Sequence, residues 1–128
     1  MTSFWVSLYN RRDSRHGGAR ALIERFAGNQ LATTNHVRGE NWTFLRRRAG
    51  HSAAVAFLDV PERTPRVRLT QVSEQAEQRA LIWLRRHDER EYSFVDATSF
   101  DVMRRLRIRE AFAFDGDFAA AGYVERRP

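Results

Sequence analysis

The chain has no cysteine and no lysine. The first absence excludes disulfides, thiolate nucleophiles and cysteine-based zinc sites, and it fits a reducing compartment. The second means that all 22 basic residues are arginine. GC-rich coding explains that bias by itself. Contact with phosphate, which guanidinium pairs bidentately, is the functional reading, and the two are compatible. Long apolar runs are also missing. Nothing approaches the roughly 18–20 residues of a membrane helix, and no basic segment precedes the apolar start as in a signal peptide. A cytoplasmic protein with no membrane association is expected.

What is present suits a folded domain. Hydrophobic residues make up 42% and charged residues 30% of 128 positions. That length holds one core rather than two, and no repeat, low-complexity tract or linker interrupts it, so residues 1–128 read as one domain. The net charge of +6 points to nucleic acid or an acidic protein as partner without choosing between them.

Periodicity gives an alternating order of helices and strands. DSRHGGARALIERFAGN reads as a helix with Asp13 as N-cap and Gly28 at its stop, and Ala19, Leu22, Ile23 and Phe26 form its apolar stripe. QLATT is a strand candidate, followed by a helix over NHVRGENWTFLRRRAG. HSAAVAFLDV is a further helix, expected to stop at Pro61. RVRLTQV alternates as a strand. SEQAEQRALIWLRRHD, capped by Ser73, and SFVDATSFDVMRRLRI, opened by Ser93, are helices. AFAF suits a buried parallel strand, GDFAAAG a helical turn, and Tyr123–Glu125 a last short strand. This order argues for an α/β fold with a mainly parallel sheet. The strands are few for so many helices.

Acids are outnumbered, so their places carry information. Asp115 follows AFAF directly, and Asp117 comes two residues later. Ligands of parallel sheets bind just beyond the carboxyl ends of strands. Asp96 lies in the first turn of its helix, and Glu40 lies one or two turns into the helix after QLATT. Each has an ordinary explanation. Ser93 and Asp96 match a capping box, FDGD matches a turn with Gly116 at positive φ, and Glu40 fits a solvated helix face. Together they describe a carboxylate cluster, which is costly unless a cation neutralises it. All-oxygen ligands favour Mg²⁺ or Mn²⁺. The four histidines show no ligand spacing and read as surface or packing residues. A carboxylate-held divalent metal in a basic protein suggests phosphodiester hydrolysis.

Three stretches carry a family resemblance. YSFVDATSFDVMRRLRIREAFAFDGDFAAAGY resembles the C-terminal half of PIN-domain ribonucleases, specifically VapC-type toxins of bacterial toxin–antitoxin pairs. TTNHVRGENWTFLRRRAGH resembles their central acid-bearing helix, and TSFWVSLYNRRDSRHGGA the segment after their first catalytic aspartate. The resemblance implies a three-layer α/β/α sandwich and metal-dependent endoribonuclease activity with Mg²⁺ or Mn²⁺. It also implies homodimerisation and inhibition by a cognate antitoxin. By this resemblance Glu40, Asp96 and Asp115 carry the acidic catalytic roles, Asp117 is an auxiliary metal ligand, and Ser3 is a small hydroxyl near the metal.

One position departs from the pattern. Met1 stands where the family has its first aspartate, and the family's first, central strand has no counterpart. A start placed too late is the preferred account. The alternative is a truncated or degenerate module that binds antitoxin or RNA without cutting. Arg46, Arg48 and Arg104 end two helices, where the dipole explains them, and are the candidate RNA-backbone contacts. Trp42 and Trp83 read as core.

Overall fold

The computed structural model describes residues 2–128, without the side chain of Thr2. Met1, the position set against the family's first aspartate, lies outside the described residues. The chain opens on helix α1 (Thr2–Tyr9). Phe4, Trp5 and Val6 are at most 4% exposed, so the apolar opening of the sequence is a core helix. Helix α2 (His16–Arg25) follows and buries Ala19 and Leu22. Its start corrects one expectation. Asp13 does not cap it. The Asp13 carboxylate accepts from the Arg15 N–H at 2.8 Å and the Ser7 hydroxyl at 3.1 Å, which closes a turn ahead of the helix. The helix also ends before Gly28, with Phe26 as its C-cap.

Strand β1 (Leu31–Thr34) leads directly into α3 (Asn35–Arg48). Helix α4 (His51–Leu58) and the short α5 (Val60–Arg63) come next. Pro61 does not end a helix. It sits in the first turn of α5, where its missing N–H has no helical partner to lose. Strand β2 (Val67–Thr70), α6 (Glu74–Arg86) and α7 (Phe94–Leu106) follow. The chain finishes with β3 (Glu110–Phe112), a turn of helix α8 (Asp117–Ala120) and β4 (Val124–Arg126). Ser73 and Ser93 cap α6 and α7 as their sequences predict.

The strands pair two and two. β1 runs parallel to β2, from Leu31 opposite Val67 to Thr34 opposite Thr70. β3 runs parallel to β4, from Glu110 opposite Val124 to Phe112 opposite Arg126. Among the described residues no hydrogen bond joins the two ribbons into one sheet. A slot of about 870 Å³ lies between them, lined by β1 and β3 and by Phe4, Trp5, Val102, Met103 and Leu106. The Thr33 and Ser99 hydroxyls, which also line it, are buried without a hydrogen-bond partner.

Two apolar clusters hold the elements. One joins α1 to α2, α3 and α4 through Phe4, Trp5, Leu22, Val37, Leu45 and Phe57. The other centres on Phe100 of α7, packed with Met103, Ala113 and Phe118. Phe100 meets Phe118 edge-on at 4.9 Å and Trp83 at 5.2 Å. Each such buried ring contributes about 2 kcal/mol. This second cluster fixes α7 against the turn between β3 and α8, which positions the site.

Candidate active site

Each candidate acid is held by a local device that its own sequence encodes. Thr34 at the end of β1 accepts from the Val37 N–H at 3.1 Å and so sets where α3 starts. Asn35 secures the chain just past β2, its side-chain oxygen accepting from the Val72 N–H at 2.7 Å. With that start, Glu40 falls beside the cleft. Ser93 and Asp96 form the predicted capping box and bring Asp96 to the N-terminal turn of α7. Gly116, at φ +84°, reverses the chain after β3, and the Asp117 N–H donates to Asp115 Oδ1 at 3.2 Å. The capping box and the turn therefore hold as ordinary explanations, Glu40 is half-buried rather than fully solvated, and the same residues also converge.

Glu40, Asp96, Asp115, Asp117 and Ser3 all line one cleft of about 470 Å³. They come from α3, α7, the β3–α8 turn, α8 and α1. Both β1 and β3 deliver the chain to it at their carboxyl ends, through Glu40 and Asp115. The cleft also contains Asp13, Glu91, Arg15 and Arg48. Arg48 was expected at the site. Arg46 and Arg104 are not among the cleft residues, and Arg104 lies 3.6 Å from the buried Asp101. The two cleft arginines rest on aromatic faces: Arg15 lies 5.4 Å from the centre of the Phe114 ring, and Arg48 4.9 Å from that of Phe44.

Burial raises the Asp96 carboxyl above the usual aspartate range, and the nearby charge of Asp117 adds to the rise, against the hydrogen bond from the Ser93 N–H. Asp96 and Asp117 thus line one cleft as like charges. Beneath the turn, Glu125 of β4 accepts from the Gly116 N–H at 3.3 Å and the Ala119 N–H at 3.0 Å. Burial pushes the Glu125 carboxyl up, but those amides and the Arg127 guanidinium outweigh it and hold it below the usual range. On the other side Arg90 reaches Asp117 and the Asp115 carbonyl. Glu91, Arg15, Arg90 and Glu125 have no pattern in the sequence that marks them. Only the folded chain puts Glu91 and Arg15 at the cleft and Arg90 and Glu125 on the turn behind it.

The donors suit a hard divalent cation in chemistry, since all are carboxylate or hydroxyl oxygens, and the buried Ser3 hydroxyl has no partner. Among the described residues, no three His, Asp or Glu side chains close on one point at ligand spacing. One or two carboxylates, with water and phosphate in the remaining positions, satisfy Mg²⁺. The residues fit an ion on those terms.

The family model of the PIN domain matches residues 2–122. The chain belongs to the PIN-domain family. Other PIN-domain proteins align over almost its full length. It is 55% identical over 129 residues to proteins named 23S rRNA-specific endonuclease VapC20 from two strains of Mycobacterium tuberculosis, CDC 1551 / Oshkosh and ATCC 25618 / H37Rv. Each alignment covers 99% of this chain and 95% of the relative. The crystal structure of Mycobacterium tuberculosis VapC20, described as a sarcin–ricin-loop-cleaving toxin, superposes with a TM-score of 0.93 at 54% identity. It matches 99% of this PIN domain and 96% of the solved chain. Among the described residues no helix is long and apolar enough to cross a membrane.

Proposed function

We propose that this PIN domain is an endoribonuclease toxin of the VapC type and that its substrate is the sarcin–ricin loop of 23S ribosomal RNA. The observation that carries the reading is the meeting of Glu40, Asp96, Asp115 and Asp117 in one cleft. The 55% identity to VapC20 supports the choice of substrate. Asp96 and Asp115 are the principal acids, with Glu40 and Asp117 completing the set and Ser3 supplying a hydroxyl. These carboxylates would hold a Mg²⁺ or Mn²⁺ ion, which when bound would supply water activation and charge neutralisation at the phosphate. The carboxylates orient the attacking water and keep the site anionic until a cation enters. Arg15 and Arg48 contact the RNA backbone on the cleft rim, and their aromatic supports lower the entropy lost on binding. A cognate antitoxin is the expected inhibitor, a homodimer the expected assembly, and the cytoplasm the expected place of action.

The finer fold reading belongs here too. A three-layer α/β/α sandwich implies one more central strand, and the slot between the parallel ribbons of β1 and β3 supports that reading. Both flanking strands lead to the acidic cleft, so a parallel strand in the slot would end beside Asp96 and Asp115.

One observation favours a second reading, a binding module without hydrolysis: the acids stop short of a closed three-ligand site. Mn²⁺ titration with thermal melting separates the two. The nuclease reading expects a rise in Tm with Mn²⁺ that Asp96→Asn reduces. The same melting curve with and without Mn²⁺ in the wild type contradicts it.

A further inference from the structure

Between α6 and α7 the chain makes a loop that forms one wall of the cleft. The base of this loop is fixed by aromatic packing. His87 stacks on Trp83 at 4.0 Å, and Tyr92 meets Trp83 edge-on at 4.8 Å. Its far end is the Ser93–Asp96 capping box. Between these anchors stands Arg90. Its Nε donates to Asp117 Oδ1 at 3.0 Å, and its Nη2 donates to the Asp115 carbonyl at 3.2 Å. The guanidinium also lies against Gly116, where an added Cβ would stand 3.5 Å from Nη2. One side chain therefore ties the wall carrying Asp96 to the turn carrying Asp115 and Asp117. Glu125 holds the same turn from the opposite side through the Gly116 and Ala119 amides.

The two walls have reason to part. Asp96 and Asp117 line the same cleft from its two walls, and two like charges so placed disfavour each other. A planar fork with two fixed donors resists that separation and also sets the rotation of the Asp117 carboxylate. A lysine ammonium supplies charge but no fork. We propose that Arg90 is a positioning residue for RNA cleavage, the strut that holds Asp117 against Asp96 across the cleft. It acts through Asp117 rather than on the RNA. This inference rests on the assignment of Asp117 to the reacting site.

The test is a double-mutant cycle on sarcin–ricin-loop RNA with Mn²⁺, using the wild type, Arg90→Gln, Asp117→Asn and the double variant. The strut predicts that Arg90→Gln lowers kcat about tenfold and leaves KM within about twofold. Added to Asp117→Asn, it produces no further loss, because the carboxylate charge that it positions is already gone. Arg90→Lys, which keeps the charge and a single contact, recovers part of the activity. It also carries the cycle if the glutamine variant fails to fold. Losses that multiply across the cycle overturn the inference. So does a raised KM with unchanged kcat and a salt dependence shallower by about one charge, which marks a direct phosphate contact. If Asp117→Asn cuts at the wild-type rate, the site assignment falls and the strut with it. If Asp117→Asn is impaired while Arg90→Gln is not, only the strut falls.

Discussion

Ser93 and Asp96 bond each other twice: the Asp96 N–H donates to Ser93 Oγ at 2.9 Å, and the Ser93 N–H donates to Asp96 Oδ2 at 3.1 Å. The pair caps α7 and at the same time delivers a half-buried carboxylate to the cleft. Structural and functional demands then pull in opposite directions. Burial raises the Asp96 carboxyl, so the folded chain holds its proton more tightly than the unfolded chain. Its contribution to stability is full below the ordinary aspartate range and is lost as pH rises through the raised value. At neutral pH the ionised Asp96 weighs against folding. Asp96→Asn removes the charge and keeps an oxygen for the Ser93 N–H. Its Tm at pH 7 should equal or exceed that of the wild type, and the difference should close in acid. Asp96→Ala, which drops the reciprocal bond, should melt below Asp96→Asn at every pH.

Glu125 gives the opposite dependence. Its carboxyl is held below the usual range, so its stabilising contribution is present above that range and lost as pH falls through the lowered value. Glu125→Ala leaves the Gly116 and Ala119 amides without their acceptor and should cost about 2 kcal/mol near neutrality. Urea melts at pH 7 and in acid check both parts. A constant cost at all pH values would contradict the charge argument.

Arg79 and Asp101 predict an asymmetry between two substitutions. Arg79 donates from Nε to Oδ1 at 2.8 Å and from Nη2 to Oδ2 at 3.0 Å, a bidentate pair joining α6 to α7. The Asp101 side chain is only 2% exposed, whereas Arg79 is 39% exposed. Removing Arg79 leaves a buried carboxylate with only the more distant Arg104. Removing Asp101 leaves an arginine that turns to solvent. Arg79→Ala should therefore lower Tm more than Asp101→Asn. Thermal melts of the two variants decide it, and the reverse order would contradict the argument.

The cleft arginines predict a salt signature. Arg15→Ala and Arg48→Ala should each weaken RNA binding and reduce the slope of log affinity against log salt by about one. Binding is best measured in an Asp96→Asn background by fluorescence anisotropy. Unchanged slopes would remove these residues from the RNA contact surface.

Much of this arrangement is legible in the sequence because it is local. The caps at Ser73 and Ser93, the apolar stripe of α2 and the FDGD turn each occupy a short stretch of residues, and periodicity or turn chemistry finds them. The four short strands are visible as well, and they pair as two ribbons. Asp13 misleads because Ser7, from the preceding helix, supplies it with another partner. Pro61 misleads because a proline that ends one helix is equally suited to open the next. Arg90 and Glu125 are invisible for a different reason. Each acts on the Asp115–Asp117 turn from a loop or strand distant in sequence, and nothing in their neighbours announces the contact. The acids are legible from their places after strands and at helix starts. The residues that hold them needed the fold.

The central claim is that the acidic cleft cuts RNA. The most direct measurement incubates purified wild-type and Asp96→Asn proteins with sarcin–ricin-loop RNA and Mn²⁺ and resolves the products on a denaturing gel. The account predicts a discrete cut by the wild type that EDTA prevents and that Asp96→Asn lowers by at least about a hundredfold. Intact RNA with the wild type, or equal cutting by Asp96→Asn, would contradict it.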